Sequence, residues 1–419
     1  MKTIPLVALG LLMAMGRLSA AEVTWHPDAN MDSQLFPAMI IATATQRPVD
    51  DEDAKPDPAL LGDPYGAVGV SVTAPTAKAK VQVTLQENAV MNKSTWSGVL
   101  ETAGTEYYIS PKVNYKFEQL RKARQQVPLN VTFAVEVDGK SAGEQTETIT
   151  VRTVNDCPFG VADSEATIDE ETQGDEEEGA AKSGEESEDG GGFTDMGWMF
   201  AAYVNENSPI VDKILKEALA TGFVDHFGGY QGDEDDVLRE VFAIWSALQN
   251  RGIKYSNITT TAGTSDTVYS QHVRFVDESL ANEQANCVDG SVLFASILRK
   301  IGLRTFLVSV PGHMFMGIYL KGEGDARVAI ETTMLGSSPD EELDVNEIKG
   351  LEGVKEKLDD ETLEGDSWKT FVPALVVGTQ NLVKHNAEFE KGDNPQYQIT
   401  DIDESRKDGI MPISYQKAE

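Results

Sequence analysis

The chain has 419 residues, 40% of them hydrophobic, which is enough for two or three ordinary domains with real cores. Its 69 Asp and Glu residues outnumber 35 Lys and Arg, leaving a formal net charge of -34 at pH 7. Such a surface repels phosphate backbones and anionic headgroups, which argues against nucleic acid and membrane surfaces as partners.

Taken in chain order, Lys2, the apolar residues 4–16 and the small residues Ser19, Ala20 and Ala21 predict a signal peptide over 1–21. The protein is therefore expected to be exported, periplasmic or secreted. No other run reaches about 18 consecutive apolar residues, so no membrane span is expected in the mature chain. Residues 22–65 are rich in Pro, Asp and Ala without a sustained period and read as an irregular segment. Over 66–160 the period becomes two. Val81, Val83 and Leu85 alternate with polar neighbours, as do Val131, Phe133, Val135 and Val137, then Ile149 and Val151. Asp138-Gly139 marks a turn between the last two runs, so an all-β, sandwich-like domain is expected. Residues 161–192 read as an unfolded acidic linker, because 163–190 holds thirteen Asp or Glu against one Lys.

After the linker the period turns helical. Ser208-Pro209 opens a helix with Ile210, Val211, Ile214, Leu215, Ala218 and Leu219 on one face, stopped by Gly222. A second helix is predicted over about 235–251, with an acidic start and a face of Val237, Val241, Ile244, Trp245 and Leu248. A third begins near Cys287 and ends at Arg299-Lys300; it is apolar nearly all round, as a central buried helix would be. Apolar runs over 305–310, 313–320 and 327–332 predict strands, and Gly322 and Gly324 mark the turn joining the last two into a hairpin. Residues 193–340 are thus an expected α+β domain, followed by a helical or irregular, polar extension over 341–419.

The candidate chemistry lies in that domain. Of the two cysteines, Cys157 and Cys287, the second stands at the mouth of a buried helix. Helix N-termini favour the thiolate, the nucleophilic form, and a neighbouring imidazole can carry its proton. His26 lies in the irregular segment, His385 in the tail, and His226 and His272 in segments without a matching carboxylate. His313 opens the strand that follows the nucleophile helix and its partner run. A hairpin centred on Gly322 would set it opposite Glu331, whereas a one-residue slip would turn Glu331 to the other face. Gln284, Trp245 and Tyr255 are candidates for an oxyanion donor beside the backbone N–H of Cys287. Asp289 reads as a dipole partner in the first turn. No His, Cys and Asp cluster has ligand spacing, so neither metal nor cofactor is expected. In an oxidising compartment the two cysteines could pair; packing of Cys157 at the end of the β domain is the simpler expectation.

The run Asn286-Cys287-Val288-Asp289-Gly290-Ser291, continuing through an apolar helix to Arg299-Lys300-Ile301-Gly302, resembles the nucleophile helix of the transglutaminase-like superfamily. Pro311-Gly312-His313-Met314-Phe315 resembles its histidine strand, with Met314 where an aromatic is usual. Glu331-Thr332-Thr333 stands where many members have Asp-x-Thr, and Gly252-Ile253-Lys254-Tyr255 is similar to the segment before the nucleophile. The resemblance covers about 235–335. It implies a papain-like α+β fold and thiol chemistry on amide or ester carbonyls of a protein or peptide, with Cys287, His313 and Glu331 as a triad. The rival expectation is a catalytically degenerate module of the same kind that binds protein or peptide.

Overall fold

The computed structural model describes residues 23–46, 57–162, 193–256, 265–337, 348, 350–392, 394, 396–414. The expected signal peptide and acidic linker lie outside the described residues. The architecture is a multidomain mixture of α and β with several sheets.

Nine strands precede residue 152 among the described residues: β1 (Trp25–Ala29), β2 (Gln34–Leu35), β3 (Leu60–Gly62), β4 (Val68–Thr73), β5 (Ala79–Leu85), β6 (Ser94–Leu100), β7 (Glu106–Ser110), β8 (Val127–Val137) and β9 (Lys140–Val151). They form a four-stranded sheet, β1-β4-β7-β3, and a five-stranded sheet, β2-β9-β8-β5-β6. Val81, Val83, Val131, Phe133, Val135, Ile149 and Val151 are buried in the apolar core, as their alternation requires. Asp138 and Gly139 both take positive φ, 50° and 74°, which gives the tight β8–β9 hairpin a twist matching its strands. The segment expected to be irregular is knitted into these sheets through β1, β2 and β3. It also carries a short helix, Pro37–Ala42, that buries Ile40 and Ile41.

The next strand, β10 (Asp156–Ala162), ties this part to the rest. Beyond it, β11 (Phe193–Asp195) pairs along one edge. In the second half lie helices α1 (Pro209–Ala220) and α2 (Glu234–Asn250), then β12 (Lys254–Tyr255) and β13 (Val268–His272). β13 pairs antiparallel with the other edge of β10, so one strand of the N-terminal part is held from both sides. Cys157 is fully buried there, and burial followed by the charge of Asp156 pushes its thiol well above the usual range. Both cysteines are free, so the disulfide is not formed. Cys157 is instead packed, the simpler of the two expectations.

Next come α3 (Val276–Asn282), β14 (Gln284–Ala285) and α4 (Cys287–Lys300), then β15 (Thr305–Val310), β16 (His313–Tyr319) and β17 (Arg327–Ile330). Every residue of α4 from Val288 to Leu298 is buried. Its Val292 and Leu293 share a core with Met314, Met316 and Ile318 of β16. The C-terminal residues, expected to be a polar extension, complete this layer. Helix α5 (Asp366–Lys384) buries Trp368, Phe371, Val372, Leu375 and Leu382, and β18 (Gln398–Asp401) joins the sheet in the order β17-β16-β15-β18. β17 is an edge strand whose outward backbone needs partners. The Thr379 hydroxyl supplies them, accepting from Ala329 N–H at 3.1 Å and donating to Ala329 C=O at 3.2 Å. Among the described residues no helix is long and apolar enough to cross a membrane.

Candidate active site

Cys287 is the first residue of α4, half-buried, and its position is fixed by the cap before it. Asn286 accepts from Asp289 N–H at 2.8 Å, while Asp289 accepts from Asn286 N–H at 3.2 Å, a reciprocal capping box. As a first-turn residue, Cys287 has no acceptor for its own N–H inside the helix. Asp289 is fully buried and ion-paired with Arg274 at 2.7 Å. Burial raises its pKa against the pull of Arg274 and the backbone donors. Asp289 thus ties the first turn of α4 both to its own cap and to Arg274.

His313 begins β16 and joins the other two groups. Its Nε2 lies 2.6 Å from Glu331 Oε2, and the Cys287 side chain is near enough to act on the same ring. Burial disfavours the charged ring, but the neighbouring Cys287 and Glu331 outweigh it and push its pKa from 6.5 up to about 10. The imidazolium is therefore the form held at neutral pH. Because the folded value exceeds the unfolded one, the stabilisation is fully present below pH 6.5 and is lost as pH rises through about 10. NMR titration of the His313 ring should show a midpoint near that value. Cys287→Ala and Glu331→Gln should each lower it, since each removes one of the groups holding the proton; an unchanged midpoint in both would contradict the geometry.

Glu331 reaches His313 by a register different from the expected one. β16 and β17 pair Met316 with Ile330 and Tyr319 with Arg327, and Leu320 N–H closes the loop on Ala326 C=O. The hairpin is thus centred one residue beyond Gly322, which would bring position 331 opposite 315 rather than 313. A displacement of two residues in pairing keeps both side chains on the same face, so the diagonal contact survives. Glu331 sits just past the strand, where Oε1 accepts from Thr333 N–H at 3.0 Å and Thr333 Oγ1 at 2.6 Å. Its backbone N–H donates to Ala374 C=O in α5 at 2.8 Å. The approach of this turn to α4 needs a glycine: a Cβ on Gly290 would stand 2.8 Å from Thr332 Oγ1.

The oxyanion candidates separate. Trp245 is fully buried in α2 with its indole N–H committed to Thr370 Oγ1 at 2.9 Å, so it is not a donor to the site. Tyr255 is 47% exposed, and its phenol is pushed up by burial and by the charges of Cys287 and Glu331, which marks it as a neighbour of both. Gln284 lies in β14, paired with Lys254 of β12, on the segment that leads into Cys287. Sequence reasoning had no signal for Arg274 or for the hold of α5 on Glu331. The Asn286-x-x-Asp289 spacing, by contrast, is a readable cap. Comparison of the chain with family models and with characterised protein sequences gives no match.

Proposed function

We propose that this chain is an exported, transglutaminase-like thiol enzyme that transfers or hydrolyses acyl groups at amide bonds of protein or peptide substrates. The observation that carries the reading is His313 bonded to the Glu331 carboxylate with the Cys287 thiol beside the same ring. A buried nucleophile helix against an antiparallel sheet supports a papain-like α+β fold for this half.

In the proposed cycle Cys287 Sγ attacks the carbonyl carbon, and the Cys287 N–H supports the oxyanion with Tyr255 or Gln284 as second donor. The C–N bond breaks as the His313 imidazolium gives its proton to the leaving amine, and a thioester remains on Cys287. Water or a second amine then attacks the thioester, losing its proton to His313 and freeing the thiolate. Glu331 holds the ring in one tautomer and stabilises its charged form.

Iodoacetamide labelling of the full chain at pH 6, followed by peptide mapping, tests this. Cys287 should react at least about tenfold faster than glutathione while buried Cys157 stays unmodified. Labelling of Cys287 no faster than glutathione would favour the non-catalytic, peptide-binding module.

A further inference from the structure

We propose that Arg274 is a positioning residue for Cys287, and that loops of the N-terminal part serve the site through it. The proposal rests on reading Cys287 as the nucleophile. Arg274 makes two bonds to the fully buried Asp289: its backbone N–H donates to Oδ1 at 2.8 Å and its Nη1 to Oδ2 at 2.7 Å. Asp289 in turn holds Asn286 N–H, and Asn286 holds Asp289 N–H, so the turn carrying Cys287 is gripped from outside the helix. A capping box needs only its own two residues. The guanidinium, 11% exposed, is the counter-charge that faces the buried Asp289 carboxylate.

Arg274 is set in place by the N-terminal part. Residue 273, just before it, is clamped by buried Asn155 on both backbone groups: Val273 N–H donates to Asn155 C=O at 2.8 Å, and Asn155 Nδ2 donates to Val273 C=O at 2.8 Å. Asn155 also donates to Glu278 at 2.7 Å and accepts from Arg124 at 2.9 Å. Four hydrogen-bonded steps, Arg124 to Asn155, Asn155 to Val273, Arg274 to Asp289 and Asp289 to Asn286, thus run from the loop before β8 to the cap of α4. Loss of the guanidinium leaves a buried carboxylate without its counter-charge. Asp289 Oδ2, which also accepts from Asn286 N–H, loses the donor that orients it, and the first turn of α4 loosens around Cys287.

The test uses the full chain with Arg274→Gln, Arg274→Lys, Asn155→Ala and the pair Arg274→Gln/Asp289→Asn. Iodoacetamide rate at Cys287, the NMR shift of His313 at pH 7 and the thermal midpoint are read on each. Arg274→Gln should slow labelling at least about fivefold and move the His313 resonance toward the neutral form. Arg274→Lys should recover part of the rate, because it keeps the charge but not the fork, and Asn155→Ala should slow labelling to a smaller extent. The pair removes the unbalanced buried charge, so it should regain thermal midpoint without regaining rate, which a purely structural role would not produce. If Arg274→Gln fails to fold, the pair takes its place. Wild-type labelling rate and an unshifted His313 in a folded Arg274 variant would overturn the proposal alone. Slow labelling of the wild type would overturn the nucleophile reading and this proposal with it.

Discussion

Cys287→Ala and His313→Ala are each expected to lower turnover of a substrate by roughly four to six orders of magnitude, because groups that act as a unit fail together. Far-UV circular dichroism should stay native in both. Cys287 is half-buried at a helix start, where a lost thiol leaves no enclosed cavity, and His313 is 31% exposed at the end of its strand. Glu331→Gln should leave a measurable residue of activity. Its carbonyl can still accept from Thr333, but an amide N–H₂ facing His313 Nε2 makes that nitrogen the acceptor and puts the ring proton on Nδ1, toward the thiol. The ring then cannot take the thiol proton, and the charged pair at the site is lost. The expected order of damage is therefore Cys287→Ala and His313→Ala first, Glu331→Gln after them. Full turnover by Cys287→Ala, on a substrate that the wild type processes, would show that the chemistry lies elsewhere.

The parts of the fold that sequence could show are those whose signal is local. β15 begins and ends at Thr305 and Val310 because an apolar run there is bounded by Gly302 and Pro311-Gly312, and α4 starts at Cys287 because Asn286 caps it. What was not legible depends on partners distant in sequence. β2 and β3 have two and three residues, too few to display a period, and they exist through pairing with β9 and β7. Helix α5 fell within the span read as a helical or irregular, polar extension. Its apolar face becomes visible only against the sheet that it covers. Trp245 was a plausible donor until Thr370, 125 residues away, proved to hold its N–H. The hairpin register was displaced because turn residues locate a loop but do not say where its closing bond falls. The contact between His313 and Glu331 survived that error since a shift of two leaves side chains on their face.

Gly378→Ala should test whether α5 belongs to the site and not merely to its surroundings. In an exposed helix this change stabilises by about 1 kcal/mol, since alanine is the better helix former. At position 378 a Cβ would stand 2.7 Å from the backbone C and O of Ala329 and from the N of Ile330. Backbone cannot rotate away as a flexible side chain can, so helix and edge strand must part, at a cost of about 1–3 kcal/mol for overpacking. The net sign is therefore destabilising, and urea unfolding should show an earlier midpoint with an unchanged slope. The same displacement reaches the chemistry. Ala374, one turn earlier in α5, accepts the backbone N–H of Glu331, and Thr379 bonds both backbone groups of Ala329. Separating α5 from β17 pulls on the residue that holds His313, so labelling of Cys287 at pH 6 should slow along with the loss of stability. A later urea midpoint would mean that Gly378 faces open space and that α5 does not dock as described. An earlier midpoint with an unchanged labelling rate would keep the docking but detach it from the catalytic geometry.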